Sequence, residues 1–504
     1  MRTLKWIEKT GNALPDPITI FLLLTTFVVL LSALFDGVSE SVVQRTGETE
    51  LKSVQSLLSF AGIRWMFTSA IDNFINFAPL GPVLTVMIGI GVAERTGFIS
   101  MGLRSLVSSV PKSFITAALV FAGVMSSMVA DAGYIVLTPL GAMLFAGIGR
   151  HPLAGLAASY AGVSGGYSAN FFITGLDPLL ARLTDQAAKT IDPSYTVNAL
   201  SNYYFMVASV ILITIVGTLV SNKIVEPMLG EWDSSQGEDE SSTINEITNK
   251  EKKAFLKSIF VGIGVAVAIA LLAIIPGSPL RDAVGEGEPA ISALNTFFGT
   301  IEVLVCLLFI IPGICYGVLT KKIKNDKDVA KMASDSMASM GAYIVLAFIA
   351  GQFVAYFNWT NMGAITAVKG ANLLQTMGLT GTPLLISFLI VAAMMNMFMG
   401  SASAKWAFMA PIFVPMLMLV GFSPELTQVT YRVGDSVTNI ITPLMPYLPI
   451  IIVFAQKYDR KSGLGTIISA MFPYSVAFFF SWTIMLVIWF LIGIPLGPGA
   501  ATTL

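Results

Sequence analysis

The chain has 504 residues, of which 55% are hydrophobic and only 12% charged; its formal net charge is -1 and its mean hydropathy +0.77. Apolar runs of about 20 residues recur along nearly its whole length, which excludes a soluble globular protein and implies a polytopic membrane protein of all-α class. No basic domain suggests nucleic acid as a partner, and two cysteines inside one apolar run, Cys306 and Cys315, give neither a disulfide framework nor a zinc spacing.

In chain order, a basic N-terminal stretch precedes a first apolar run over residues 18–35, with no clear small-residue cleavage pattern, so it is read as a retained helix. Residues 36–76 carry several acids and are expected as a polar outer segment. A second span over 79–92 ends at Glu94 and Arg95, and Arg104 and Lys112 extend a basic loop. Lys and Arg concentrate in cytoplasmic loops, which puts the N-terminus and the 95–112 loop inside.

From residue 114 the pattern breaks. An apolar run at 115–125 gives way to SSMVADAGY and resumes at 135–148, reaching the basic Arg150. Two arms that start and end on the same side make a re-entrant hairpin with Ser126, Ser127, Asp131 and Gly133 at its tip, and such backbone is tolerated at membrane depth only where protein or water satisfies it. Residues 153–180 are then a crossing helix broken by VSGGYSAN and GLDP.

Residues 203–219 cross inward, and the polar stretch 222–257 reads as a mobile cytoplasmic linker. Runs at 260–275, 293–319 and 337–357 alternate across the bilayer, with the basic TKKIKNDKDVAK fixing the inside, and 358–383 is expected as an outer loop. A second hairpin enters over 384–399, turns at GSASAKW and leaves over 407–420; a further crossing at about 429–453 and a last one at about 467–492 leave the C-terminus outside. The chain thus divides into N-terminal spans (1–112), a first hairpin with its broken helix (113–182), connecting spans (183–382), a second hairpin with its broken helix (383–453) and a C-terminal span (454–504).

A shift of about 272 positions lays the first hairpin on the second. Thr138-Pro139-Leu140 falls on Ala410-Pro411-Ile412, Gly149-Arg150-His151-Pro152 on Gly421-Phe422-Ser423-Pro424, and Tyr134 on Trp406. Loop charges orient the two units oppositely, and inverted repeats with broken helices at their interface are the layout of secondary transporters.

Lys405, Arg432 and Asp435 sit in this apolar setting, where each ionised group costs roughly 2.5 to 3.5 kcal/mol on insertion scales. Arg432 and Asp435, three apart, share a helix face and are expected to pair with each other. Two readings of that pair stand: a structural ion pair, or Arg432 attracting a carboxylate while Asp435 takes a proton or ligates Na⁺. Asn396, Asn439, Ser401 and Ser403 add neutral oxygens of the kind Na⁺ accepts. Asp131 and Asp177 are the acidic counterparts in the first unit. Trp406 is expected to offer a stacking wall to an aromatic substrate, and His151 reads as a loop residue. No partnered nucleophile or metal-ligand cluster suggests an enzyme.

SASAKWAFMAPIFVPM with YRVGDSVTNIITP, and GRHPLAGLAASYAGVSGGYSANFFITGLDPLL, resemble the two hairpin and broken-helix units of the AbgT family, the p-aminobenzoyl-glutamate transporters. The resemblance runs the full length, including EKTGNALPDP, NFAPLGPVL, VAERTG and FNWTNMG. It implies an inner-membrane homodimer, each protomer with about nine spanning helices and two re-entrant hairpins, moving an aminobenzoyl or sulfonamide small molecule with H⁺ or Na⁺ as coupling ion and no other cofactor. It also implies that Asp177, Ser403, Trp406, Pro424, Arg432, Asp435 and Pro443 matter for transport and that Asn396 and Asp435 ligate Na⁺. A Na⁺-coupled dicarboxylate carrier is the alternative within the class, and a channel the alternative outside it.

Overall fold

The computed structural model of the chain describes residues 17–43, 49–108, 110–129, 132–232, 248–284, 293–397, 399–442, 445 and 447–504. Asp131 and Pro443, both singled out by the sequence, lie outside these residues, as do residues 233–247 of the expected 222–257 linker; the two flanks of that stretch are helical, through Glu226–Leu229 and from Asn249 onward, so the linker is shorter than its polar composition implied.

The N-terminal part comprises α1 (Pro17–Leu34), a hairpin of β1 (Ser39–Val43) and β2 (Thr49–Ser53), α2 (Phe60–Ile75), α3 (Leu80–Arg95) and α4 (Phe98–Ser108). The strands pair antiparallel with Ser39 opposite Ser53 and Val43 opposite Thr49. Residues 36–76 are therefore not one polar outer segment. Apart from Asp72 the acids all precede residue 60, and from Phe60 the run FAGIRWMFTSAIDNFI forms a helix capped by Ser59, whose Oγ accepts the Gly62 N–H. Arg64 and Asp72 obscured it in the sequence, yet Phe60, Phe67, Ile71 and Ile75 lie exposed on it, as suits a helix in lipid.

Next come α5 (Ile115–Met125), a 3₁₀ turn (Ser126–Val129), α6 (Ala132–Gly147), α7 (Pro152–Tyr160), a π-turn (Ala161–Gly165), irregular backbone, and α8 (Leu176–Ala188). The connecting helices are α9 (Tyr203–Val220), α10 (Glu226–Leu229), α11 (Asn249–Ile274), α12 (Asn295–Gly299), α13 (Ile301–Leu319), α14 (Asp326–Ser339), α15 (Gly341–Trp359) and α16 (Met362–Thr376). The last replaces much of the expected outer loop at 358–383; Asn361, in the left-handed region, breaks the chain just before it. Finally, α17 (Gly381–Asn396), α18 (Ala402–Met418), α19 (Pro424–Asn439), α20 (Leu448–Gln456) and α21 (Leu464–Ile492) complete the chain.

Among the described residues, six helical stretches are long and apolar enough to cross a membrane: Phe60–Arg95, Tyr203–Leu229, Asn249–Ile274, Ile301–Leu319, Gly341–Trp359 and Leu464–Ile492. Only 6% of the most apolar stretch of α11 is buried, and Phe260, Ile263, Val267, Leu271 and Ile274 line its outer face. Bare in water, that face would be a liability; against lipid it is neutral.

Between helices there is little hydrophobic driving force in a bilayer, so close approach of small residues supplies the packing. A Cβ on Gly123 would stand 2.8 Å from Gly162 Cα, and one on Gly89 would stand 2.4 Å from the Cys306 carbonyl oxygen. The same holds of Gly434, where a Cβ would come within 2.6 Å of the Leu389 carbonyl oxygen and force α17 and α19 apart.

The exit turns after the two pairs of helices are built alike. Gly149 and Gly421 both have positive φ, and each is followed by a capping residue and a proline at the first turn of a helix. His151 Nδ1 accepts the Leu153 N–H, and Ser423 Oγ accepts the Leu426 N–H. Proline at this position loses no hydrogen bond and presets the helical φ. The C-terminal arm of each pair packs on the broken helix of the other unit, α18 on α8 and α6 on α20. This exchange brings the two tips together in the interior.

Candidate functional site

α19 carries its polar residues on one face. Gln428, Arg432, Asp435 and Asn439 follow at helical spacing, and all are buried among the hydrophobic helices. Facing them across the interior is α8, with Asp177 in its first turn and Thr184 two turns further on.

The ion pairs cross between elements. Arg432 Nη1 lies 2.7 Å from Asp177 Oδ1, and the Lys405 ammonium of α18 pairs with Asp435 Oδ1. The expected pairing of Arg432 with Asp435 is thus not formed. Three residues apart on a helix, both side chains point toward the same face, but each pairs with an opposite charge on a neighbouring helix. All four groups are 3% exposed or less. Burial to that degree makes exact pairing obligatory, because a lone ion in such a place costs several kcal/mol.

Asp177 also closes its own turn, its Oδ2 accepting from the Thr174 N–H at 2.6 Å and from Thr174 Oγ1 at 2.8 Å. This holds the carboxylate at the start of α8 and spends one oxygen there, leaving the other to Arg432.

Asn396, the last residue of α17, is fully engaged. Its Nδ2 shares two N–H donors among the Asp435 carbonyl at 2.7 Å, Asn439 Oδ1 at 2.7 Å and Thr438 Oγ1 at 2.9 Å, while its Oδ1 accepts from the Lys405 ammonium. The carboxyl ends of α17 and α19 meet here, and both carry the partial negative charge of a helix C-terminus. Carbonyl, carboxylate and amide oxygens under that field form a set suited to a hard cation such as Na⁺. Lys405 Nζ is the cation against Asn396 Oδ1 and Asp435 Oδ1 in this structure.

Beside it lies a cavity of about 260 Å³ lined by Tyr134, Tyr167, Ser401, Ser403, Asn439 and Tyr447, among others. Tyr134 and Tyr447 stack with ring centroids 4.4 Å apart and planes 14° from parallel. The amino ends of three helices open onto this space: α18 through Ser401, Ala402 and Ser403, α8 through Leu176, and α20 through Tyr447. Each contributes partial positive charge, a favourable setting for an anionic group. The cavity therefore joins an aromatic wall, hydroxyls and anion-stabilising dipoles to the cation cluster through Asn439.

Trp406 is not part of that lining. It is fully buried, stacks on Tyr431 at 4.6 Å with planes 27° apart, and donates through Nε1 to Thr184 Oγ1 at 2.9 Å. Its ring face is taken, so the expected open stacking wall is absent in this conformation; the aromatic wall of the cavity is the tyrosine pair. Pro424 opens α19 at the exit turn, remote from the cavity lining, where Ser423 N–H donates to the Thr502 carbonyl.

Sequence reasoning missed a buried polar line. Thr184 donates to Gln428 Oε1 at 2.6 Å, Gln428 Nε2 donates to Asn202 Oδ1 at 2.8 Å, and Asn202 Nδ2 donates to the Glu425 carbonyl at 3.0 Å. The signal was present: Thr184 is seven residues from Asp177 and Gln428 four from Arg432, so each repeats the face of a residue already singled out. Away from the centre, Arg150 pairs with Glu226 and donates to Thr116 Oγ1 at 2.9 Å, tying the first exit turn to α5 and α10.

Residues 2–504 match the family model described as the "AbgT putative transporter family". The chain is 35% identical over 494 residues to the p-aminobenzoyl-glutamate transport protein of Escherichia coli (strain K12), covering 98% of this chain and 96% of that one. Among solved structures it is similar to the Alcanivorax borkumensis YdaH transporter, with a TM-score of 0.88 and 39% identity over 96% of this chain and 100% of that one. It is similar also to Neisseria gonorrhoeae MtrF, reported as illuminating a class of antimetabolite efflux pumps, with a TM-score of 0.91 and 43% identity over 99% of this chain and 100% of that one. A match over almost the entire chain, together with an apolar helical exterior around a polar interior, makes this protein a member of the AbgT transporter family and not an enzyme.

Proposed function

We propose that the protein is a cation-coupled secondary transporter of p-aminobenzoyl-glutamate and related aminobenzoyl or sulfonamide compounds, working by alternating access. The observation that carries this reading is the cavity at the meeting of the two tips, with its stacked tyrosines and converging helix N-termini. An aromatic amide ring suits the tyrosine wall, and a carboxylate suits the dipoles of α18, α8 and α20. The names borne by the E. coli and N. gonorrhoeae relatives support the same cargo class.

Alternating access follows from an inverted repeat, for which the matched exit turns and the exchanged packing of α18 on α8 and α6 on α20 are the support. On this reading each hairpin is re-entrant, opening to opposite sides of an inner membrane. The protomer has about nine spans, its N-terminus cytoplasmic and its C-terminus periplasmic, and it works as a homodimer. Asn396 and Asp435 hold the coupling cation when that cation is Na⁺.

The test is transport of p-aminobenzoyl-glutamate in proteoliposomes, with H⁺ and Na⁺ gradients imposed one at a time and in each direction. Saturable uphill flux driven by one of the gradients is expected. Flux that neither saturates nor runs uphill would indicate a channel, and inhibition by succinate with no effect of sulfonamides would indicate a dicarboxylate carrier.

A further inference from the structure

The cavity has an imbalance. Its lining is made of tyrosines, serines, Asn439 and apolar residues and carries no formal charge among the described residues, although it stands at the amino ends of helices suited to an anion. A carboxylate buried there has dipoles but no counter-ion. Arg432 is committed to Asp177 at 2.7 Å in the pair that joins the two units, and its helix meets the cavity only at the far end, through Asn439. The other buried cation is Lys405, and it sits on the helix whose first residues, Ala402 and Ser403, line the cavity.

Lys405 in turn stands where a cation ligated by Asn396 and Asp435 would have to be. Its ammonium contacts the side-chain oxygens of both. Two cations compete for those oxygens, since each needs to touch them directly and the two repel at contact distance in a buried setting.

We infer that Lys405 is a tethered cation that alternates between two partners: it neutralises the Asn396–Asp435 pair when Na⁺ is absent, and swings to the carboxylate of an anionic cargo in the tyrosine-lined cavity when Na⁺ is bound. Its flexible four-carbon stem permits the movement without a change in the helix, and its compact point charge serves either partner. The α17–α19 contact supplies the switch point, because Asn439 both lines the cavity and accepts from Asn396 Nδ2 at 2.7 Å. Coupling then has a local cause. Cargo and Na⁺ each remove the penalty that the other would meet, one by offering the displaced ammonium a partner and the other by freeing it. This rests on the reading of Asn396 and Asp435 as Na⁺ ligands.

The experiment compares the wild-type chain with Lys405→Gln, purified and held in nanodiscs. Na⁺ binding is read from thermal unfolding titrated with NaCl against choline chloride at constant ionic strength. Binding of p-aminobenzoyl-glutamate is measured with and without Na⁺. The substitution is expected to tighten Na⁺ binding about tenfold or more, because the tethered competitor is gone. It is also expected to weaken cargo binding and abolish its rise with Na⁺.

Equal Na⁺ affinity in the two proteins would overturn the role of Lys405 while leaving the Na⁺ site standing. Absence of Na⁺ stabilisation in both would overturn the Na⁺ site and the inference with it. If the cargo binds neither protein, the choice of cargo fails, and the Na⁺ comparison still decides whether Lys405 competes. Should Lys405→Gln not fold, the wild type decides alone: Na⁺ is expected to strengthen binding of p-aminobenzoyl-glutamate but not of its neutral dimethyl ester, and equal strengthening of both overturns the inference.

Discussion

Arg432 and Asp177 meet at 2.7 Å across the interior, one on α19 and the other at the head of α8, so a single ion pair fastens the second unit to the first. Both are buried, and Asp177 is locked into its turn by Thr174. Removing either partner strands the other charge, at a cost of about 3–5 kcal/mol. Asp177→Asn and Arg432→Gln are each expected to lower the unfolding temperature sharply and abolish transport. Asp177→Asn combined with Arg432→Gln removes both charges together and should recover much of the stability without the activity. A double-mutant cycle on thermal unfolding checks this; additive losses would dissolve the claimed coupling.

Trp406 distinguishes a packing role from direct cargo contact. Phenylalanine keeps the stack on Tyr431 and gives up only the donor to Thr184, so Trp406→Phe should cost about 1 kcal/mol of stability. Trp406→Ala should cost about 3–5 kcal/mol by leaving a cavity. Transport activity is expected to follow folded protein in both variants. Cargo affinity falling far below that expectation in Trp406→Phe, at unchanged stability, would mean that the ring faces cargo in another conformation.

Tyr447 and Tyr134 are expected to respond the other way. They line open space and stack on each other, so Tyr447→Ala removes an aromatic wall without breaking the ion-pair cluster. The expected outcome is a loss of roughly tenfold or more in affinity for aryl cargo, which Tyr447→Phe restores. Equilibrium binding of p-aminobenzoyl-glutamate to the purified variants is the measurement.

His151 gives a pH dependence with a defined sign. Burial holds its imidazole below the usual range, while Asp459 and Glu226 pull the other way, and its Nδ1 must be unprotonated to accept the Leu153 N–H. The folded chain therefore binds fewer protons here than the unfolded chain, whose histidine titrates near about 6.5. Its contribution to stability is present above that value and is lost as pH falls through the lower folded value. His151→Ser supplies the cap that Ser423 provides at the other exit turn and does not titrate. Between about pH 7.5 and 5.5, its unfolding temperature should fall less than that of the wild type.

The sequence disclosed the apolar helices, both turns with Gly followed by Pro, and the residues that form the polar centre. Spacing of 3.6 residues and the punctuation of glycine and proline are local signals, and Gly149, Gly421, Pro152 and Pro424 behave accordingly. Partnership was much less legible. Arg432 and Asp435 sit together on one helix, but Asp177 and Lys405 outbid each for the other, and such competition depends on how α8 and α18 cross. The same limit applies to Trp406, whose ring face is covered by Tyr431 from a neighbouring helix. The helix Phe60–Ile75 was hidden for a different reason, because scattered polar residues in a lipid-facing helix read as loop when its partners are unknown.

The two crossed ion pairs have a further consequence for energetics in a polarised membrane. Two carboxylates, one guanidinium and one ammonium sum to zero, so the central cluster of two ion pairs carries no net charge. A membrane potential of 100 mV acts on each elementary charge moved across it with about 2.3 kcal/mol, and on a neutral cluster with nothing to first order. On the cycle proposed here, reorientation without cargo is electrically silent at the site, and the voltage dependence of turnover belongs to the steps in which ions and cargo are aboard.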